Sequence, residues 1–254
     1  MTVSVHPREL LTVAVPCLNE EANLPATMAD LQSVIPRLPM EVHVVLIDDA
    51  SSDATRDVMA QMCERYPNTR MKVNERNLGP GRSVMRLYDE LDEDSWFTAL
   101  PGDNEIVCES LVNYVKVRDR YDVILGYLQN PVIRTVTRRA ASTVFTALAS
   151  ATYGFSFRYL NGTKLYKVWA FRGIEVVGGG HGFGAELLAK ALLREPGLRI
   201  GEVPFMARGR AMGNSTAFTA KAITRAVREF YAGHRSVAEY RQSVIARETA
   251  RQKR

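Results

Sequence analysis

The segment Glu41–Asp53, EVHVVLIDDASSD, decides the fold. Its centre, Val44-Val45-Leu46-Ile47, is apolar on both faces, which suits a parallel strand covered by helices on either side. The run ends in two adjacent carboxylates, Asp48 and Asp49. Ligands of open α/β sheets bind outside the carboxyl ends of such strands, so both acids are expected to face solvent where a ligand would lie. Ser51-Ser52-Asp53 then offers a cap for the next helix. A turn with an N-cap accounts for the same residues without any ligand. The other strand ends have to decide.

Outward from this strand, the first half alternates apolar runs with helical patterns. Strands are predicted over Leu11–Pro16, Val42–Asp48, Met71–Asn74, Trp96–Leu100 and Asp122–Gly126. Between them come helices over Glu21–Ile35, Ser52–Tyr66, Gly79–Leu91 and Ile106–Arg118, punctuated by Pro36, Pro67 and the Gly79-Pro80-Gly81 turn. That alternation means βαβ units and a parallel sheet. The second half changes character. Pro131–Tyr153 reads as one long helix, and an Asn161-Gly162 turn precedes a short segment Lys164–Lys167. The glycine-rich loop Gly178–Gly182 leads into a helix over Ala185–Arg194, followed by a strand over Arg199–Pro204. A mobile stretch, Arg208–Asn214, is expected before a basic helix that starts near Ala217 and frays over its last dozen residues.

At 254 residues and 46% hydrophobic, the chain can bury a full core. No stretch reaches the ~18 uncharged apolar residues of a membrane span, and the start lacks the basic-then-apolar pattern of a secretory signal. Cys17, Cys63 and Cys108 are odd in number and lack metal-ligand spacing, as expected of free thiols in a reducing cytoplasm. Net charge is +5, but residues 216–254 alone carry +6, and residues 123–174 hold seven Lys or Arg and no acid. Such asymmetry points to nucleotide phosphates, a phosphorylated acceptor or a membrane surface, or else to a solvated basic face. Nucleic acid is not an expected partner, because clustered acids at the strand ends repel a phosphate backbone.

Two more strand ends carry acids. Val15-Pro16-Cys17-Leu18-Asn19-Glu20-Glu21 stops the first ladder at Pro16, turns at Asn19 and throws Glu20 out beside Asp48. Acids at neighbouring strand ends suit the donors of a ribose and a base, although Glu20 in the first turn of a helix is favourable in its own right. Leu100-Pro101-Gly102-Asp103-Asn104-Glu105 ends the strand that begins at Trp96. Asp103 and Glu105 can converge on one hard cation, since Mg²⁺ or Mn²⁺ takes one or two carboxylates plus substrate phosphates. Alone, this spacing is also that of a turn.

Together these pieces resemble the family 2 glycosyltransferases with the GT-A fold. VAVPCLNEEANLP, VVLIDDASSDAT, NLGPGRSV and ALPGDNEI come in the family's order over residues 11–110. NGTKLY is similar to its G-F-[KR]-L-[FY] segment, and GFGAELLAKALLREPGLRIGEVPFMARGRAMGNS to its ending. The dolichyl- and polyprenyl-phosphate sugar synthases look most similar. The resemblance implies a Rossmann-like, mostly parallel α/β sheet with a C-terminal helical extension. The GT-A domain would span 1–215, with a nucleotide-sugar half at 1–126 and an acceptor half at 127–215, and the basic extension 216–254. It further implies that Pro16, Glu20 and Asp48 hold the nucleoside, with Asp49 close to ribose or diphosphate. Asn19, Gly79 and Arg82 would join that site, and Arg210 with Arg208 would clamp phosphate. Asp103 and Glu105 would hold Mg²⁺ or Mn²⁺. One departure matters: the first acid of the family's D-x-D is Pro101 here.

The chemistry needs a cation and arginines where negative charge builds on the departing nucleoside diphosphate. A hydroxyl acceptor also needs a general base, for which Glu186 is the candidate. A lipid phosphate is already anionic and needs cations instead, available from Arg134, Arg138, Arg139 and Lys164. His181 is either a contact to acceptor or diphosphate or a loop residue without a role. The Pro131–Tyr153 helix fits a membrane-surface helix, an ordinary core helix or a homodimer face equally. The leading expectation is an inverting, metal-assisted transfer from a nucleotide diphosphate sugar to a polyprenyl phosphate, by a cytoplasmic protein touching the membrane's cytoplasmic face. A soluble small-molecule or glycan acceptor is the alternative, and Pro101 keeps open a non-catalytic nucleotide-sugar binder.

Overall fold

The computed structural model describes residues 9–180, 182–209 and 220–252. Its centre is a seven-stranded sheet ordered β3-β2-β1-β4-β6-β5-β7. The strands are β1 (Leu10–Cys17), β2 (Glu41–Asp48), β3 (Thr69–Val73), β4 (Trp96–Ala99), β5 (Val123–Leu128), β6 (Lys164–Lys167) and β7 (Ile200–Phe205). β6 runs antiparallel to β4 and β5, and the other pairings are parallel. The helices are α1 (Leu24–Val34), α2 (Thr55–Arg65), α3 (Pro80–Met85), α4 (Ser110–Val117), α5 (Val136–Tyr153), α6 (Phe183–Arg194) and α7 (Ala220–Gln252).

The apolar run of β2 is central because both its faces are covered. Val44 and Leu46 pack into a core with Leu24, Met28 and Met59 of α1 and α2. Val45 and Ile47 join the opposite core with Val84 of α3 and Leu187 and Leu188 of α6. Each fully buried side chain contributes roughly 1.5–3 kcal/mol, against a strand-propensity range of only ~1 kcal/mol. Burial, not propensity, sets β2 in the middle of the sheet.

β1 lies between β2 and β4, so the chain winds outward from it in both directions, which makes its carboxyl end the switch point of the sheet. Register aligns Cys17 with Asp48 and Ala14 with Ala99. Beyond the ladders, Asp49 N donates to Cys17 O (2.9 Å) and Gly102 N to Pro16 O (3.2 Å), which knits three strand ends into one edge. Because β6 is antiparallel, its first residue, Lys164, stands at that same edge.

Four helix expectations change. The Pro131–Tyr153 pattern splits into a 3₁₀ turn at Pro131–Ile133 and α5, because Arg134 is extended and the Thr135 side chain caps the Arg138 amide (3.3 Å). α4 begins at Ser110 rather than Ile106, which instead bridges Ala207. α3 stops at Met85, and the remainder tightens to a 3₁₀ turn at Tyr88–Glu90. α7 continues to Gln252 instead of fraying. None of the described helices is long and apolar enough to cross a membrane.

Candidate functional site

Each of the three strand ends at the switch point turns through a non-glycine residue with positive φ: Asn19 (57°), Ala50 (64°) and Asn104 (56°). These are all such residues among those described, and backbone strain of this kind gathers at functional sites. The acids converge here as well. The Cys17 thiol is pushed far up, first by burial and then by the nearby carboxylates of Glu20, Asp48, Asp103 and Asp53. Gly102 is needed for the approach, since a Cβ there would lie 2.4 Å from Cys17 Sγ.

The expectation that Asp48 and Asp49 face solvent is overturned: they are 0% and 3% exposed. Asp48 accepts from Ser51 N (2.9 Å) and from Arg56 Nη2 (3.2 Å). Asp49 accepts from Gly79 N (2.8 Å), Leu78 N (2.9 Å), Asn74 Nδ2 (2.9 Å) and Ser83 Oγ (2.7 Å). Its oxygens are filled by the chain's own donors, so Asp49 hangs the segment 74–83 from the end of β2. Gly79, at φ 83°, gives its amide to that task.

Pro16 and Glu20 are half-buried at the end of β1. Glu20 takes a hydrogen bond from Asn23 Nδ2 (2.8 Å), and its amide donates to Thr55 Oγ1 (2.8 Å). Asn19 Oδ1 accepts from Ser52 N (2.8 Å), which fastens the first loop to the second. Asp53 of the Ser-Ser-Asp turn accepts the amide of Thr55 at the start of α2 (3.0 Å), and it also accepts Glu21 N (3.2 Å) while Glu21 accepts Ala54 N (2.8 Å).

Asp103 is half-buried and accepts the Glu105 amide (3.1 Å). Glu105, expected on a metal, is 4% exposed and receives a bidentate guanidinium from Arg138 at 2.6 and 3.0 Å. A predicted metal ligand and a predicted acceptor cation therefore hold each other. Among the described residues no three His, Cys, Asp or Glu side chains could hold a metal ion between them. A cation that rests mainly on substrate phosphates takes only one or two carboxylates.

The remaining predicted residues are dispersed around this edge. Arg208 donates to Asp30 (2.9 Å), Asn104 Oδ1 (3.2 Å) and Ile106 O (3.2 Å), so it braces the acidic loop. Arg82 reaches Val177 O (2.8 Å), and Arg134 donates to the Tyr159 hydroxyl. Arg139 is half-buried one residue beyond Arg138. The Lys164 ammonium donates to Leu160 O (2.8 Å) and Gly162 O (3.0 Å), and burial pushes its pKa down to about 8. Glu186 is 2% exposed and accepts Val177 N (3.0 Å), Gly178 N (3.2 Å) and Lys190 Nζ (2.9 Å). His181 and Arg210 lie outside the described residues. Sequence reading missed Arg56, Asp30 and Lys190. Only Lys190 carried a signal, its i,i+4 spacing from Glu186.

Two kinds of known proteins are similar to the chain. Undecaprenyl-phosphate 4-deoxy-4-formamido-L-arabinose transferase of Photorhabdus laumondii subsp. laumondii is 26% identical over 148 residues, which cover 58% of this chain and 45% of that protein. The Serratia proteamaculans protein of that name is 28% identical over 122 residues, covering 47% and 37%. The chain thus spans less than half the length of the curated relatives it matches. Glucosyl-3-phosphoglycerate synthase from Mycobacterium tuberculosis in complex with uridine diphosphate superimposes with a TM-score of 0.64 at 18% identity, over 91% of this chain and 80% of that one. Its complex with Mn²⁺ and uridine-diphosphate-glucose gives 0.63 at 17%, over 89% and 79%. At such identity these structures establish the GT-A fold. Residues 12–174 match the model of glycosyl transferase family 2, and with well over half its length matched, the chain belongs to that family.

Proposed function

We propose that this chain transfers a sugar from a nucleotide diphosphate sugar to a polyprenyl phosphate, with inversion and with Mg²⁺ or Mn²⁺ as cofactor. The observation that carries this reading is the convergence of Glu20, Asp48 and Asp103 on the buried Cys17 at the sheet's switch point. Family membership and the names of the curated relatives, which are undecaprenyl-phosphate transferases, support it.

In this reading Pro16, Asn19 and Glu20 recognise the nucleoside, while the buried Asp48 holds the Ser51 turn beside them and Asp49, Gly79 and Arg82 form the supporting loop. Asp103 would hold a cation together with the substrate diphosphate, and such a cation would supply charge neutralisation for the departing nucleoside diphosphate. Arg208 holds the Asp103–Glu105 loop in place, with Arg210 left as the phosphate clamp. An anionic acceptor needs no strong base, so the filled oxygens of Glu186 present no obstacle. Arg134, Arg138, Arg139, Lys164 and His181 supply the acceptor side. Val132, Val136, Val144 and Leu148 are exposed on and just before α5, as a helix resting on the cytoplasmic face of a membrane, or on a second copy, requires. The domain division at residues 126 and 215 belongs to the same reading.

A soluble anionic acceptor is the second reading, favoured by the structural neighbours, one of which was crystallised with phosphoglyceric acid. Radiolabelled nucleotide sugars offered with undecaprenyl phosphate separate the two. Label is expected in the organic phase. Label appearing only in a water-soluble product would overturn the lipid acceptor.

A further inference from the structure

α6 carries an ion pair that the proposed chemistry does not use. The side chains of Glu186 and Lys190 are 2% and 4% exposed and one helical turn apart. All three protons of the ammonium are placed: on Glu186 (2.9 Å), on Glu175 O (2.6 Å) and on Ser236 Oγ of α7 (2.7 Å). The Tyr240 ring of α7 lies 5.8 Å from the same nitrogen. α7 comes so close that a Cβ at Gly233 would stand 3.3 Å from Glu186 Oε2.

The other side of Glu186 grips backbone, namely the amides of Val177 and Gly178. These open the run Gly178-Gly179-Gly180, which has no side chains of its own to fix it and so the largest conformational freedom to lose. That run rests on the loop below Asp49. Gly81 N donates to Gly179 O (3.0 Å), and Arg82 donates to Val177 O (2.8 Å). A Cβ at Gly179 would fall 2.8 Å from Leu78 O, and one at Gly81 would fall 2.6 Å from the Phe183 ring. The contacts therefore run without a gap from α7 through Lys190, Glu186 and the glycine segment to the loop hung from Asp49 at the end of β2.

Such a pair is weak evidence for stability, since apolar replacements of buried pairs are often neutral. What it does provide is a fixed carboxylate for the amides of Val177 and Gly178, in a segment otherwise held through its carbonyls. We propose that Lys190 and α7 are positioning elements: through Glu186 they hold the glycine segment against the nucleotide-side loop, and so set that loop for nucleotide diphosphate binding. This rests on the nucleotide-sugar reading only for what the loop binds.

The test uses the full chain with Lys190→Met, which keeps the stem and removes the charge, and Ser236→Ala, which removes only the contact from α7. Amide hydrogen exchange is followed at Val177, Gly178 and Gly81, and uridine diphosphate with Mn²⁺ is titrated into the same samples. Loss of charge-assisted hydrogen bonds should quicken exchange at these amides about tenfold in Lys190→Met, less in Ser236→Ala, and weaken nucleotide binding about tenfold. The remote Asp122→Asn should change neither. Unchanged exchange overturns the linkage, and quickened exchange with unaltered affinity overturns the positioning role. If Lys190→Met does not fold, Ser236→Ala decides by the same two measures. If the unaltered chain binds no nucleotide diphosphate, the nucleotide reading is what fails, and exchange alone still decides whether Lys190 and α7 hold the segment.

Discussion

Single residues at the carboxyl edge divide into those that meet a ligand and those that build the place for it. In the proposed reading, Asp103 belongs to the first group. Asp103→Ala is expected to lower turnover by roughly 10²–10³, the range for removing one group that stabilises developing charge. Steady-state rates with a saturating donor check this, and unchanged turnover would remove Asp103 from the mechanism. Lys164 makes a prediction about pH. Burial lowers its folded pKa to about 8, below the unfolded value of ~10.4. Between these values the unfolded chain binds more protons, so stability rises with pH across that window. The same loss of charge weakens any anion it holds. Denaturant unfolding at pH 7 and 9.5 should show the native chain gaining on Lys164→Met at the higher pH, while phosphate-acceptor affinity falls.

Elements contribute by the way they end. α5 starts where the Thr135 hydroxyl caps Arg138, the residue that then pairs with Glu105. Losing such a cap costs about 0.5–2 kcal/mol, so Thr135→Ala should lower the unfolding free energy from urea titration by that amount and quicken exchange in the first turn of α5. At the end of β4, Gly102→Ala has no room beside Cys17. Overpacking of this kind costs roughly 1–3 kcal/mol, and thermal unfolding would reveal it. The β strands were legible from their apolar runs to within a residue or two. The starts of α4 and α5 were not, because Thr135 and the Ile106–Ala207 bridge act through hydrogen bonds that no periodicity records.

For the whole molecule, acid stability is set in part at the outer end of the sheet, where β5 pairs with the edge strand β7. Asp122, at the start of β5, takes a guanidinium from Arg199 before β7 (2.7 Å). That hydrogen bond holds its carboxyl below the usual range, against the opposing effect of burial. With the folded pKa depressed, the contribution is complete above the unfolded pKa of ~3.9 and is lost as pH falls through the folded value. Stability curves from pH 7 to 2 should therefore be flatter for Asp122→Asn at the acid end. A parallel acid limb in the two proteins would show that the pair does not report on folding.

The sequence by itself determined the strand alternation, the two-faced burial of Val44–Ile47, the row of acidic strand ends and the family they resemble. Each of those features is read from a short stretch, since a periodicity, a turn or a motif is complete within about a dozen positions, and their order along the chain needs no contact in space. Tertiary structure alone decided what the acids do there. Asp49 is filled by donors from residues 74–83, Glu105 by a guanidinium from α5, and Glu186 by a glycine segment and a lysine that α7 completes. A carboxylate's role depends on which donors reach it through space, and partners 25 to 34 positions away, or on a helix from the far end of the chain, leave no trace in the local pattern.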